Sequence, residues 1–199
     1  MKKGLKIYAL ASVFVLASVT QVLSQSRRTA NDKTVRVTKT TTVKKNSSNR
    51  RISSSKVTYK TPKRKVVSVR TVPNRTVIKH NGQNYYYGNN KYYTQSRGRY
   101  IVISPKVGFR IKVLPSNYRR VLYNNHTYFN VSGIFYAQIN NEYEVVDPEI
   151  GTIVYELPDE YEKVTIDGLT YYEYANILYE KVQVNGTRAY EVVGIIEME

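Results

Sequence analysis

From residue 77 to the C-terminus, apolar and polar residues alternate in short runs that end at frequent turn signals. In the run Phe109–Val113, apolar residues alternate with Arg and Lys, which is typical of a half-buried strand. Asn81-Gly82 and Asp167-Gly168 are strong hairpin signals, because both central positions of a type I′ turn need positive φ. No segment after the N-terminal stretch has a convincing helical period. The pattern predicts an all-β chain of meandering antiparallel hairpins.

The strand pattern repeats along the chain with a period of 43 residues. Residues 120–162 align with residues 77–119 without a gap and share 11 identities in those 43 positions. A third copy, residues 163–199, keeps the tyrosine-rich first half and stops before the proline-containing half. Because one copy cannot bury its apolar face alone, about three tandem repeats predict a compact curled sheet or small barrel at residues 77–199.

A β-propeller is the alternative architecture that this period suggests, because propeller blades run ~40–45 residues with four strands each. Propellers usually need ~4–8 blades, however, and the chain carries fewer than three full copies. We therefore favour stacking or closure of the repeats into one unit.

Residues 1–24 have the pattern of a secretory signal peptide. Lys2, Lys3 and Lys6 precede an apolar run of 12 residues, and Ser24 offers a small residue before Gln25. A membrane anchor is the alternative, but a spanning helix needs roughly 20 apolar residues. The pattern predicts export to the periplasm, the outer envelope surface or the medium of a bacterium, with no transmembrane segment after signal cleavage.

Residues 25–76 are rich in Ser, Thr, Lys and Arg and poor in large apolar residues, and they hold most of the excess charge of this +16 chain. Such a segment buries too little surface to offset its ordering entropy, so we predict a disordered tail. A basic tail serves as a solvated linker or as a tether to an anionic envelope component, whereas nucleic acid is disfavoured behind a signal peptide. The candidate polyanion contacts are its densest basic positions, Lys44, Lys45, Arg50, Arg51, Lys63, Arg64 and Lys65.

The order of motifs within a copy resembles a group of exported bacterial proteins of unknown function. The first copy contains Tyr85-Tyr86-Tyr87, Tyr92-Tyr93, Tyr100-x-Val102, Pro105, Gly108 and Leu114-Pro115-x-x-Tyr118. Residues 77–199 carry this resemblance, and they depart from it by having one proline at Pro105 and Pro148 where two are frequent. The resemblance implies an envelope or secreted location and an all-β repeat fold, and it assigns no catalytic residues.

The sequence carries no recognisable catalytic constellation and no cofactor motif. Cysteine is absent, which excludes a disulfide framework, a thiolate metal site and a lipid-modified N-terminal cysteine. His80 and His126 lie at turns of different copies, where we expect solvated side chains. The acidic residues between Glu142 and Glu162 lack the spacing of a calcium loop or of a glycosidase carboxylate pair. We expect no enzyme activity, no cofactor and no metal.

Tyrosine is the unusual component of the composition, with 20 residues against 4 phenylalanines and no tryptophan. Exposed tyrosine pairs could bind sugars by ring stacking, whereas cross-strand aromatic pairs stabilise thin sheets by ~0.2–1 kcal/mol each. The leading functional prediction is a non-enzymatic envelope or secreted protein of structural or binding type, and the alternative is a carbohydrate-binding module. The candidate stacking residues are Tyr85, Tyr93, Tyr128, Tyr136, Tyr171 and Tyr179.

The charge changes sign between the first two copies. Residues 77–119 carry eight basic and no acidic residues, whereas residues 120–162 carry one basic and eight acidic residues. Stacked copies would thus present opposite fields, within one chain or between chains that self-associate, and exposed pairs of this kind would set register more than stability. At equivalent positions, Arg99, Lys106 and Arg119 become Glu142, Glu149 and Glu162.

Overall fold

The computed structural model describes residues 37–39, 50–61 and 66–197, so the predicted signal peptide and much of the predicted tail lie outside the described residues. Within the described ranges the chain forms strands and one short 3-10 turn, Ser54–Lys56. The strands are β1 (Val37–Lys39), β2 (Arg51–Ser53), β3 (Thr58–Tyr59), β4 (Ser68–Val69), β5 (Thr76–His80), β6 (Gln83–Gly88), β7 (Lys91–Ser96), β8 (Arg99–Ile103), β9 (Arg110–Ile111), β10 (Arg119–Tyr123), β11 (His126–Val131), β12 (Ile134–Ile139), β13 (Glu142–Val145), β14 (Ile153–Val154), β15 (Glu162–Ile166), β16 (Leu169–Tyr174), β17 (Ile177–Val184) and β18 (Thr187–Glu197).

The strands form three curled sheets, each built on one four-stranded antiparallel meander. The meanders are β5–β8, β10–β13 and β15–β18, and a short lead strand, β4, β9 or β14, pairs with the last strand of each. We call β4–β8 the first sheet, β9–β13 the second and β14–β18 the third. This arrangement confirms the prediction of an all-β chain of antiparallel hairpins in about three tandem repeats.

Each hairpin of the three meanders closes through a two-residue turn in which both residues have positive φ. In the first of these turns φ is 47° at Asn81 and 75° at Gly82. Type I′ geometry matches the right-handed twist of the flanking strands, and Asn and Gly tolerate it best. The turns are Asn81-Gly82, Asn89-Asn90, Arg97-Gly98, Asn124-Asn125, Ser132-Gly133, Asn140-Asn141, Asp167-Gly168, Ala175-Asn176 and Asn185-Gly186.

The proline-containing half of each predicted copy belongs to the sheet that follows it. The amide of Gly108 donates to the carbonyl of Val145 at 2.9 Å, and the amide of Gly151 donates to that of Val192 at 2.8 Å. Positive φ at these glycines, 89° and 97°, turns the chain into lead strands β9 and β14. The expected boundaries 77–119, 120–162 and 163–199 therefore separate each sheet from its own lead strand. The third copy, which looked truncated, makes a complete sheet.

The second sheet packs between the other two. One of its faces, with Val131, Ile134 and Tyr136, packs on Tyr92 of the first sheet. Its other face, with Phe135, packs on the third sheet. The consecutive residues Phe135 and Tyr136 are 1% and 0% exposed, although successive side chains of a strand point to opposite faces. Both faces of this sheet are therefore covered.

A strap of residues 50–61 covers the outer face of the third sheet. The strap pairs in parallel with β18 through β2 and antiparallel with β15 through β3, so it crosses the sheet from one edge to the other. Ile52, Val57 and Tyr59 pack on that face. These strands lie in the stretch for which we predicted disorder. Three scattered apolar residues were too weak a signal to predict strands from the sequence. They are sufficient to hold the strap because they pack on the apolar face of the third sheet.

The outer face of the first sheet is covered by the segment that joins β4 to β5. Val72 packs with Tyr86, Tyr93 and Tyr100. The guanidinium of Arg75 lies 5.6 Å and 5.1 Å from the ring centroids of Tyr86 and Tyr100, within cation–π distance. Val72-Pro73 occupies the position that Leu114-Pro115 and Leu157-Pro158 hold in the later sheets. The fold of the first sheet therefore begins before residue 77.

A buried hydrogen bond between the first and second sheets has no counterpart at the equivalent position between the second and third sheets. The hydroxyl of Tyr136 donates to that of Tyr92 at 2.7 Å between the first and second sheets. A shift of 43 residues replaces this pair with Tyr179 and Phe135, and the buried hydroxyl of Tyr179 has no hydrogen-bond partner among the described residues. Burial raises the pKa of Tyr136 and of Tyr179 well above the ordinary range. Both phenols therefore stay neutral, but only one is hydrogen-bonded.

Substitution of these two tyrosines should have opposite effects on stability. We expect Tyr179→Phe to raise the free energy of unfolding by about 1 kcal/mol, because it removes a buried donor without a partner. We expect Tyr136→Phe to lower it by about 1 kcal/mol, because it leaves the hydroxyl of Tyr92 unsatisfied. Urea titration followed by circular dichroism measures both changes, and equal losses for the two variants would contradict the assignment.

Candidate binding cleft at the edge of the second sheet

The six tyrosines proposed as sugar platforms do not form a common surface. Tyr93, Tyr128, Tyr136, Tyr171 and Tyr179 are buried, and they belong to four different core clusters. Tyr85 is half-buried, its ring packs edge-on against Phe109 with centroids 5.0 Å apart, and its hydroxyl donates to Gln83 at 3.1 Å. Since five of these six rings are buried in packing, those five offer no open face for a sugar.

Two of the basic residues proposed as polyanion contacts lie in the strap. Arg51 forms ion pairs with Asp147 at 3.3 Å and with Glu197 at 3.7 Å. The carbonyl of Arg50 accepts a hydrogen bond from the amide of Ile195 at 2.9 Å. These residues therefore help to hold the strap on the third sheet. Lys44, Lys45, Lys63, Arg64 and Lys65 lie outside the described residues.

The two histidines serve separate turns in different sheets. His126 pairs through Nδ1 with the carboxylate of Glu149, which also accepts a hydrogen bond from Asn124 Nδ2 at 3.0 Å. His80 Nδ1 accepts a hydrogen bond from the amide of Arg110 at 3.4 Å. Among the described residues, no group of three or more His, Cys, Asp or Glu side chains is arranged to hold a metal ion.

Sequence reasoning did not single out the buried acids Glu180 and Glu191. They lie directly opposite each other on β17 and β18 and are almost fully buried. Oε2 of Glu180 has no hydrogen-bond partner among the described residues. The available signal was positional, because Val182, Val184 and Ala189 share their face of the sheet. Both carboxylates lie inside the third sheet and away from solvent.

A cleft of about 1130 Å³ lies beside β10. The whole of β10 forms one wall, and the segment 151–160, which leads into the third meander, forms the other through all of its residues except the buried Thr152. β10 is the edge strand of the second sheet, and no described strand pairs with its outer side. Leu122 on β10 is 71% exposed and Tyr155 on the opposite wall is 52% exposed. The cleft therefore combines an open backbone edge with uncovered apolar side chains.

Glycine and aromatic residues shape the floor of the cleft. A Cβ at Gly133 would lie 2.6 Å from Pro158 Cγ and from the ring of Tyr174, so only glycine allows this close approach. Tyr174 packs against the two core clusters on either side of the second sheet, and burial, reinforced by the charge of Glu160, raises its pKa to about 12. At Gly151, a Cβ would overlap the hydroxyl of Tyr123. These contacts fix the distance between the two walls.

Ion pairs cross the cleft at its rim. Arg119 binds Glu156 at 2.8 Å, and Lys91 of the first sheet binds Glu160 at 2.5 Å. The side chains of the first pair are well exposed, so this pair contributes little to stability. It can therefore open without a large loss of stability.

The opposite charges of the first two copies form ion pairs with each other within one chain. Three ion pairs join basic residues of 77–119 to acidic residues of 120–162, namely Lys91–Glu160, Arg119–Glu156 and Arg110–Glu144. Of the three basic residues that the sequence analysis compared between copies, Arg119 forms one of these ion pairs. Arg99 instead donates to Ser68 Oγ at 2.9 Å, and the Lys106 carbonyl accepts from the Phe109 amide at 3.0 Å. Self-association between chains stays a prediction.

Three stacked four-stranded meanders define the described part of this chain as a β-repeat fold. Residues 59–196 match the family of unknown function DUF6515, which covers most of the chain, so the protein belongs to this family. The match begins inside the strap, in agreement with a folded unit that starts before residue 77. No curated protein and no solved structure matches this chain.

Within the described residues, no helix has the length and hydrophobicity that a membrane span requires.

Alkaline titration should destabilise the fold through its half-buried tyrosines. Burial is the largest cause that raises the pKa of Tyr59 and of Tyr174 from 10.0 to about 12. A phenol whose pKa is higher in the folded state stabilises that state below its unfolded pKa, and the contribution disappears as the pH rises through the folded pKa. We therefore expect the free energy of unfolding to fall between about pH 10 and 12.

Denaturant titrations at several pH values measure this loss. Tyr59→Phe and Tyr174→Phe should each make the decline with pH shallower, because each removes one phenol that is neutral in the fold. Tyr155→Phe is the matched control, since its ring is more than half exposed. A decline as steep in Tyr174→Phe as in the wild type would refute the role given to that residue.

Proposed function

We propose that this chain is a non-enzymatic exported protein whose β-repeat domain binds a partner in the cleft beside β10. The observation that carries the proposal is the cleft itself, where a strand edge with no described strand paired to it lies beside Leu122 and Tyr155. Monomeric proteins rarely leave such edges and apolar side chains uncovered without a use for them. One wall of the cleft is a strand of the second sheet, and the other wall is joined to the third sheet through β14.

Export and the role of the tail rest on the sequence. The charged start, the apolar run of 12 residues and Ser24 support a signal peptide at residues 1–24. The basic stretch that follows suits a linker or a tether to an anionic envelope polymer. In this arrangement the tail holds the domain near a surface and the cleft selects the partner.

The carbohydrate-binding alternative gains no support from the tyrosines on which it depended. Five of those six rings are buried. The cleft contains polar groups on both walls, but its exposed apolar residues and open backbone edge suit a polypeptide better than a sugar. We therefore propose that this domain binds a polypeptide partner.

Site-specific photo-crosslinking in the native envelope tests this function. A photoreactive phenylalanine analogue placed at Leu122 or at Tyr155 should trap the same partner, because both side chains line the cleft. The matched control is the same analogue at Val113, which is 80% exposed and lies outside the cleft. Equal trapping at Val113, or turnover of envelope glycans or peptides by the purified protein, would contradict the proposal.

A further inference from the structure

We propose that β10 accepts an extended polypeptide segment, which adds to the second sheet as a further antiparallel strand inside the cleft. This inference rests on the proposed binding function and names the class of partner and the mode of contact. The partner is a segment with apolar residues at alternate positions, of the type Val-Thr-Tyr. Strand addition of this kind takes its affinity from backbone hydrogen bonds and its specificity from alternate side chains.

The third sheet already contains the contact that we propose for the second. Its strand β15 stands at the position of β10, shifted by 43 residues. The strap adds to the outer side of β15 with Tyr59 opposite Val164 and Thr58 opposite Thr165. The amide of Lys60 donates to the carbonyl of Lys163 at 2.9 Å. This sheet type therefore accepts an added antiparallel strand at its first edge.

The outward backbone groups of β10 follow from its hairpin with β11. Tyr123 and His126 flank the two-residue turn and form a hydrogen-bonded pair, so Val121 and Tyr128 form the next such pair. The N–H and C=O groups of Arg120 and Leu122 consequently point away from β11. These residues correspond to Lys163 and Thr165, whose backbone meets the strap. The edge of β10 thus presents the same donors and acceptors, and no described strand uses them.

The side chains around β10 favour apolar residues at alternate positions of the added strand. In the strap, Val57 and Tyr59 share the face of Val164 and pack into the core of the third sheet. The equivalent face of β10 carries Val121, and Ile153 and Tyr155 lie across the cleft from it. Incoming apolar side chains would therefore cover these residues. The residue between the two apolar residues of the added strand would lie opposite Leu122, as Thr58 lies opposite Thr165.

The first sheet provides an internal control. Its edge strand β5 is also unpaired on its outer side among the described strands, and Lys79 holds the position of Leu122. The cleft is not lined by any residue of β5. Since β5 has the open edge without the cleft, a comparison of the two edges separates specific docking from nonspecific edge pairing.

The test uses a fluorescent peptide with the sequence of residues 56–61, Lys-Val-Thr-Tyr-Lys-Thr, titrated into the full chain. We expect saturable binding by fluorescence polarisation. Leu122→Pro should weaken the affinity by about tenfold or more, because it removes an outward donor and places a ring on the edge. Lys79→Pro should bind as the wild type does. Proline is tolerated at edge positions whose N–H points outward, so both variants should keep the fold.

Nuclear magnetic resonance of the wild-type protein gives a second readout that does not depend on the variants. Addition of the peptide should shift the amide signals of Arg120 and Leu122 and slow their hydrogen exchange. Absence of saturable binding, equal affinity for Leu122→Pro, or shifts confined to β15, where the peptide would displace the strap, would overturn the proposal. A dimer that Leu122→Pro abolishes would assign the edge to a second copy and would overturn it as well.

These outcomes can be separated from failure of the proposed function. If the peptide does not bind but the analogue at Leu122 still traps a partner, strand addition fails and the binding function stands. If neither occurs, both fail.

Discussion

Each meander in this chain has two apolar faces, and the rest of the structure depends on covering both of them. The second sheet satisfies this constraint through its neighbours, as the burial of Phe135 and Tyr136 on opposite faces of β12 shows. The two outer sheets have one neighbour each and need a separate cover. The strap supplies it for the third sheet, and Val72 with Arg75 supplies it for the first. Terminal units of repeat proteins generally need caps of this kind.

The tyrosine-rich composition follows from this stack of sheets. Aromatic rings meet edge to face within and between the sheets, as Tyr86 and Tyr100 do at 5.0 Å and 90°, and such pairs are favoured over parallel sandwiches. A hydroxyl at the end of the ring is useful where it reaches water or a partner, as at Tyr136. It is a liability at Tyr179, where the sequence has Phe135 in place of a partner. The tyrosines thus act mainly as packing residues.

The sequence predicted the local geometry well and the long-range geometry less well. The Asn-Gly and Asp-Gly signals and the 43-residue period were sufficient to predict hairpins in about three repeats, because turn chemistry is local. The strand β2 could not be predicted from Arg51–Ser53, because its partner on β18 lies far along the chain. The predicted repeat boundaries separated the sheets from their lead strands for a related reason. The equivalence of Val72-Pro73 and Leu114-Pro115 is evident from their positions in the sheets but not from the sequence. The cleft joins β10 to residues 151–160, and no motif links them in the sequence.

The proposed function depends on a difference between two equivalent edges, because the strap pairs with β15 whereas no described strand pairs with the outer side of β10. A difference of this kind cannot be read from the repeat, in which the two strands occupy the same position. It arises because β3 of the strap pairs with β15. The third sheet therefore contains an internal example of the contact that we propose for the second sheet.

Amide hydrogen exchange of the free protein, followed residue by residue, tests this difference most directly. The account predicts fast exchange at Leu122, whose N–H points away from the sheet. It predicts slow exchange at Val121, which pairs with Tyr128, and at Thr165, which faces Thr58 of the strap. Protection of Leu122 equal to that of Thr165 would mean that the edge of β10 is already covered, and it would contradict the account.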